Sequence, residues 1–210
     1  ESMRRQLPTL METELSNIEF RAGGLNHFSI LLNAKYKNNG EDGYPLIKKN
    51  FWNYFKDLVN DHEGFESEPG AERGVFFKIY EDFKYLPITT DSHLGEYVQW
   101  AYSVADHEAI LHFYDNYKKK CLNFFENDKI YSSFFDLEND RFHERFVPIA
   151  EAIIEDQGIE ESSVNIPNNG FIDCLPKDIV VEVPAMIDKK GIEGITLENY
   201  PKTFGTLLNL

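Results

Sequence analysis

Two short stretches gather the side chains best suited to chemistry. The first is Ala22-Gly23-Gly24-Leu25-Asn26-His27-Phe28, where paired glycines let the backbone turn sharply or come close to a ligand. Asn26 and His27 then add polar groups beside an apolar strand, and neutral imidazole is a good ligand for divalent ions. Spacing alone leaves His27 open between ligation and a hydrogen-bonded structural role. The second stretch, Thr89-Thr90-Asp91-Ser92-His93-Leu94-Gly95-Glu96-Tyr97, packs hydroxyls, carboxylates and an imidazole into one segment. Its plain reading is a helix start, with Asp91 or Ser92 capping amides and Glu96 favoured by the helix dipole. His93 and Glu96 are i, i+3 and share a face, which suits gripping sugar hydroxyls or orienting a catalytic group. Tyr85, just before Pro87, stands near the mouth of the same pocket.

Other candidates are weaker. His107 and His112 fall about 140° apart on a helix, so they are not the i, i+4 pair of a zinc protease and are expected in solvent or in the core. His62 lies in an acidic loop. Cys121 and Cys174, the only cysteines, fit neither a disulfide framework nor a zinc knuckle, and a reducing cytoplasm is the simpler expectation. There is no Gly-x-Gly-x-x-Gly after a strand, no Walker loop and no Gly-x-Ser-x-Gly elbow.

Composition bounds the partners. The 210 residues carry 21 Lys+Arg against 36 Asp+Glu, a net charge of −15, which argues against a nucleic-acid binder or a basic membrane-surface protein. Hydrophobic residues at 42% and aromatics at 14% supply a sizeable core. No apolar run approaches the roughly 18 residues of a membrane span.

The elements that must position these groups are legible in outline. Strands are expected at 18–21 and 29–32 and an amphipathic helix from Pro45 through Leu58. An exposed loop follows over 60–73, then a helix from Val75 that stops near Pro87. From Asp91 to Asn127 the pattern gives one long helix or two joined ones, with an aromatic stripe (Trp100, Phe113, Tyr114, Tyr117) assigned to the core. A helix over 144–156 tolerates Pro148 in its first turn. Two or three strands among 164–166, 171–174 and 178–184 follow, with Asn169-Gly170 a tight turn. Residues 1–16 read as a lead-in, partly ordered or foreign to the domain, and 17–210 as one α+β domain. The chain stops inside an apolar helix without a cap and looks cut.

Five blocks in order resemble glycoside hydrolase family 4. They are Ala22 to Phe28, Thr90 to Tyr97, Glu144-Arg145-Phe146-Val147-Pro148-Ile149, Val164-Asn165-Ile166-Pro167-Asn168, and Val180-Val181-Glu182-Val183-Pro184-Ala185 with Gly191-Ile192. The Asp-Ser-His-Leu-Gly-Glu-Tyr block is more similar to the α-glucosidase and α-galacturonidase branch than to the 6-phospho-glycosidases. The resemblance implies a helix-rich α+β fold with a small, mostly antiparallel sheet, as in the C-terminal domain of the lactate/malate dehydrogenase-like superfamily. It also implies NAD and Mn2+ or another divalent cation as cofactors, an exception to two-carboxylate hydrolysis. In such enzymes C3 of the sugar is oxidised, the C2 proton is removed under metal assistance, the aglycone leaves, and water and hydride are returned.

Carried over residue by residue, the resemblance makes His27 a metal ligand, Asn26 a substrate contact and Tyr85 the base, with Tyr80 the runner-up. His93 and Glu96 become sugar contacts. The family's nucleotide-binding half, and the Cys-Asn motif that supplies a second metal ligand, precede the matched blocks and are not in this chain. Thus the expectation is the C-terminal, substrate-side half of an NAD-dependent α-glycosidase, inactive alone. It should bind Mn2+ weakly and NAD+ not at all, and join an N-terminal NAD-binding domain in a cytoplasmic homo-oligomer. The rivals are another NAD-dependent oxidoreductase of the dehydrogenase-like group and a non-catalytic assembly domain.

Overall fold

The computed structural model describes residues 2–57, 73–126 and 145–209. The acidic loop with His62, and Glu144 of the third block, lie outside them. Helix α1 (Ser2–Leu10) buries Met3, Leu7 and Leu10 at helical spacing, so the lead-in contributes to the main core. It is tied down by Arg4, whose Nη2 lies 3.6 Å from the buried Glu161 carboxylate, which Arg145 also grips.

A 3-10 turn at Leu15–Asn17 feeds β1 (Ile18–Leu25), which pairs antiparallel with β2 (Phe28–Tyr36) across a bulge at Arg21/Ala22. Both strands run longer than the apolar stretches 18–21 and 29–32, because Ala22, Gly23 and Gly24 continue the ladder. In β2, Phe28 to Leu31 are all buried, as in a strand covered on both faces. Helix α2 (Tyr44–Asp57) sets Tyr44, Ile47, Phe51 and Phe55 into the core, and α3 (Gly74–Phe83) answers with Val75, Phe76, Ile79 and Tyr80. Phe51 stacks on Tyr80 at 3.7 Å and on Phe76 at 5.7 Å. Each such buried ring is worth roughly 1.5–3 kcal/mol.

Helix α3 closes on Lys84 at φ 63, and β3 (Leu86–Pro87) then pairs with Ile30 and Leu31 of β2. The Tyr44 hydroxyl locks that junction: it donates to Leu31 O at 2.7 Å and accepts from Leu86 N at 3.0 Å. Burial drives its pKa far above the usual phenol range, so it stays protonated and can do both.

Beyond β3 the one long helix or two joined ones expected over 91–127 are three pieces: α4 (Asp91–Leu94), a 3-10 turn (Gln99–Ser103) and α5 (His107–Glu126). The break before α5 is local chemistry, since Asp106 caps the helix by accepting from Ala109 N at 3.1 Å. The assignment of the aromatic stripe to the core is also corrected. Val98 and Ala101 are buried, yet no residue of α5 is, and Tyr114, Tyr117, Leu122 and Phe125 are exposed.

Helix α6 (Phe146–Glu155) has Pro148 in its first turn and covers a small second cluster of Ala152, Val164, Ala185 and Ile187. Strands β4 (Ile159–Pro167), β5 (Val180–Asp188) and β6 (Gly191–Gly194) complete the sheet. Its order is β3-β2-β1-β5-β4, with β6 on β5, and every pairing is antiparallel. Of the two or three strands expected there, the one at 171–174 does not form. The fully buried Asn168 folds that segment instead, donating to Ile172 O, Leu175 O and Pro176 O and accepting from Ile172 N at 2.8 Å. The neighbouring Asn169-Gly170 turn holds φ of 43° and 96°, as its residue types allow. Helix α7 (Lys202–Leu208) does end in a cap, because Asn209 Nδ2 donates to Gly205 O and, at 3.1 Å, to Cys174 O. No helix among the described residues is long and apolar enough to cross a membrane. The fold is thus α+β with one antiparallel sheet.

Candidate metal and sugar site

The glycine pair does not make the turn. Gly23 and Gly24 lie in β1, where a Cβ on Gly23 would sit 2.3 Å from Leu197 Cδ1 and 2.8 Å from Glu182 O, and one on Gly24 2.4 Å from Phe28 O. The smallness of Gly23 lets β1 close onto β5, and that of Gly24 lets the hairpin close onto Phe28 and Ser29 of β2, with Gly24 opposite Glu182. The turn falls one step later: Leu25 pairs with Phe28, leaving Asn26 and His27 as a two-residue loop with His27 at φ 64. A non-glycine residue there costs of order 1 kcal/mol.

That turn is pinned from outside. Tyr97 donates its hydroxyl to Asn26 O, and Thr89 Oγ1 donates to His27 O at 2.8 Å. Phe28 stacks on Tyr97 at 5.5 Å. The segment doing the pinning carries the other two candidates, so one set of contacts fixes His27, His93 and Glu96 relative to each other. The imidazoles of His27 and His93 lie 4.1 Å apart between ring centroids, tilted by 50°. His27 Nδ1 is 3.9 Å from one Glu96 oxygen and His93 Nδ1 is 3.9 Å from the other. All three ligand atoms fall within 4.8 Å of one another, the one group of three or more possible donors among the described residues.

Asp91 explains why α4 can hold this pose. Its carboxylate is 1% exposed, and it caps another helix rather than its own. Oδ1 accepts from Phe76 N in the first turn of α3 and Oδ2 from Asp106 N ahead of α5, each at 3.0 Å. Backbone turns closed by Gly95 N to Asp91 O and Glu96 N to His93 O then bring Glu96 beside His93. A cleft of about 550 Å³ opens next to Glu96, walled by Tyr97, Tyr102, His107 and Tyr114.

The remaining candidates sit apart. Asn26 is exposed at the hairpin tip. Tyr85 is half-buried with its ring edge-on to Tyr44 at 6.4 Å, and Tyr80 is in the core on Phe51. His107 and His112 are exposed, one facing Tyr102 O and the other Asn116. Two residues at the site carried no signal as single positions. Burial, then the charges of Glu96 and Glu182, pushes the Tyr97 phenol up, which makes it a lasting hydrogen-bond donor. Glu182, beneath the hairpin, has its carboxyl raised by burial, partly offset by hydrogen bonds with Ser163 and Ser29 and by nearby His27. A lone carboxylate in the apolar run 180–185 was the available sign of it.

Two outcomes follow. His27→Gly relieves the left-handed strain, so urea unfolding should show stability within about 1 kcal/mol of the parent while divalent-metal binding disappears. Glu182 binds more protons folded than unfolded above its ordinary value of 4.5, so its contribution to stability is complete at lower pH and is lost as pH rises through the raised value. Thermal unfolding in chelator should therefore show Glu182→Gln gaining on the parent as pH climbs from 4 to 8, and a constant difference would refute this.

Similar proteins place the chain. The model of the family 4 glycosyl hydrolase C-terminal domain matches residues 22–209. An alpha-glucosidase of Erwinia rhapontici is 40% identical over 99% of this chain and 49% of its own length. An alpha-galacturonidase of Thermoanaerobacter italicus is 22% identical over 95% of this chain and 45% of its own. The crystal structure of a 6-phospho-alpha-glucosidase from gut microorganisms, in complex with NAD and Mn2+, superposes with a TM-score of 0.64 at 21% identity. It covers 99% of this chain and 48% of that one. The chain spans about half the length of the relatives it matches. It belongs to glycoside hydrolase family 4, and residues 22–209 form that family's C-terminal domain.

Proposed function

We propose that this chain is the metal- and sugar-holding half of an NAD- and manganese-dependent α-glycosidase acting on unphosphorylated α-glycosides. The observation that carries the reading is the meeting of His27, His93 and Glu96 beside an open cleft, from two segments far apart in sequence. The 40% identity to an alpha-glucosidase supports the sugar class.

Two imidazoles and a carboxylate suit a transition metal such as manganese better than a calcium-type oxygen cage. His27 would hold the ion. When bound, it supplies Lewis-acid polarisation of vicinal C2 and C3 oxygens of the sugar. Asn26 offers a carboxamide donor at the hairpin tip, and Glu96 and His93 orient sugar hydroxyls by hydrogen bonding. Tyr85 is the residue we assign to take the C2 proton. Tyr97 is a positioning residue, since a phenol raised above its ordinary pKa keeps its proton and holds the turn. NAD does not fit the described residues: Gly23-Gly24 lie within a hairpin strand, not in a loop opening a helix, so no cradle for a pyrophosphate is formed. Hydride chemistry therefore belongs to a partner domain. Exposed apolar residues of α5 and α6, including Tyr114, Phe125, Phe146 and Ile154, favour self-association, and we place the assembled protein in the cytoplasm.

The test is turnover of 4-nitrophenyl α-glucoside by the protein that joins this domain to its nucleotide-binding half. Nitrophenol release should need both NAD+ and Mn2+ and slow when the sugar is deuterated at C2, while this chain alone releases none. Release that persists without either cofactor contradicts the reading, and an oxidised sugar without nitrophenol supports the dehydrogenase rival.

A further inference from the structure

We infer that the cleft beside Glu96 binds a neutral hexose ring, the leaving-group sugar of an α-glucosyl disaccharide. The inference rests on the glycosidase reading above and extends it from the sugar that is oxidised to the sugar that departs.

Two elements build the walls. On α5, His107, Ile110 and Tyr114 stand at i, i+3 and i+7 and share one face, which lines the cleft although no residue of the helix is buried. The 3-10 turn ahead of α5 supplies Gln99 and Tyr102. His107 folds the two elements together: its Nε2 lies 2.6 Å from Tyr102 O, and its ring centroid is 4.6 Å from that of Tyr102. The space of about 550 Å³ that results is in the range of small-molecule sites.

The lining suits a sugar. Tyr102 and Tyr114 are 80% and 50% exposed, so their rings are not spent on the core. An exposed tyrosine offers an apolar face to the C–H side of a pyranose and a hydroxyl to its rim, and it orders few torsions in doing so. Gln99, also exposed, adds a carboxamide that both donates and accepts.

Charge then selects the class of sugar. Among the described residues the lining holds no lysine or arginine, and it includes the Glu96 carboxylate. A phosphorylated or carboxylated ring would meet that charge with no cation to offset it, whereas a neutral polyol meets donors and acceptors. Glu96 also belongs to the cluster with His27 and His93, so a ring in the cleft lies next to a ring held there. Contacts to the departing ring are remote from the reacting carbons, and their binding energy is available to raise turnover.

Ligand-observed NMR on the 210-residue chain in chelator should show saturable glucose binding, with glucose 6-phosphate weaker by about tenfold or more. Tyr102→Ala and Tyr114→Ala should each weaken glucose about tenfold, as truncation of an aromatic anchor does. His112→Ala should retain it, and all three variants should keep the parent's unfolding midpoint, because the replaced side chains are exposed. In the protein joined to its nucleotide-binding half, Tyr102→Ala should cost maltose about tenfold more in kcat/KM than it costs methyl α-glucoside, which has no second ring. No saturable glucose binding, equal binding of glucose and glucose 6-phosphate, or equal losses on the two substrates overturns the inference. So does a dimer that either tyrosine variant splits while glucose stays unbound, which gives the cleft to a second copy of the chain. Equal losses on the two substrates with turnover still dependent on NAD+ and Mn2+ would leave the glycosidase reading intact and sink only this one. Glucose bound at the two tyrosines with no aglycone released from any α-glycoside would sink that reading and keep the cleft as a hexose site.

Discussion

A buried carboxylate that reaches two backbone amides is the constraint on which the site depends. Asp91 accepts one N–H from the first turn of α3 and another from the residue before α5, with its own short helix between them. Removing such an acceptor leaves buried donors unsatisfied at about 1–3 kcal/mol each. The larger consequence is positional: α4 has only four residues and cannot hold itself straight by helical hydrogen bonding alone. Asp91 gives it two fixed points, and Leu94, Val98 and Ala101 press it onto the core. His93 and Glu96 inherit that rigidity.

The opposing half of the site is a hairpin that stores a small strain. Close approach of β1 to β5 demands glycine at 23 and close approach to β2 demands it at 24, and the turn then falls on Asn26 and His27 with the histidine left-handed. Glycine would suit that conformation better, but it has no side chain to offer a ligand. Tyr97 and Thr89 hold the strained turn in place, and both lie in the segment that carries α4. The two halves are therefore one mechanical unit, coupled through the backbone carbonyls of the turn and through the contact of the His27 and His93 rings.

Much of this was visible in the sequence and some was not. The residue types and order of both blocks marked His27, Asn26, His93 and Glu96, and helical periodicity gave α2 and α3 well. Long-range roles left no local trace. The partners of Asp91 are fifteen positions away on either side, so a cap for another helix looks in sequence like a cap for its own. Glu182 reads as the polar member of a strand until the hairpin folds over it. Periodicity also cannot tell a buried apolar stripe from an exposed one, which is why α5 was misassigned. Asn168 turned an expected strand into a loop by satisfying four backbone groups that a ladder would otherwise have used.

The central claim is that the hairpin turn and the α4 segment together form the metal- and sugar-holding side of the site, with His27 as the ligand to the ion. Crystals of the protein that joins this domain to its nucleotide-binding half, soaked in Mn2+ and recorded for manganese anomalous scattering, test it most directly. The account requires one strong peak within bonding distance of His27. An absent peak, or one away from the hairpin turn, contradicts it.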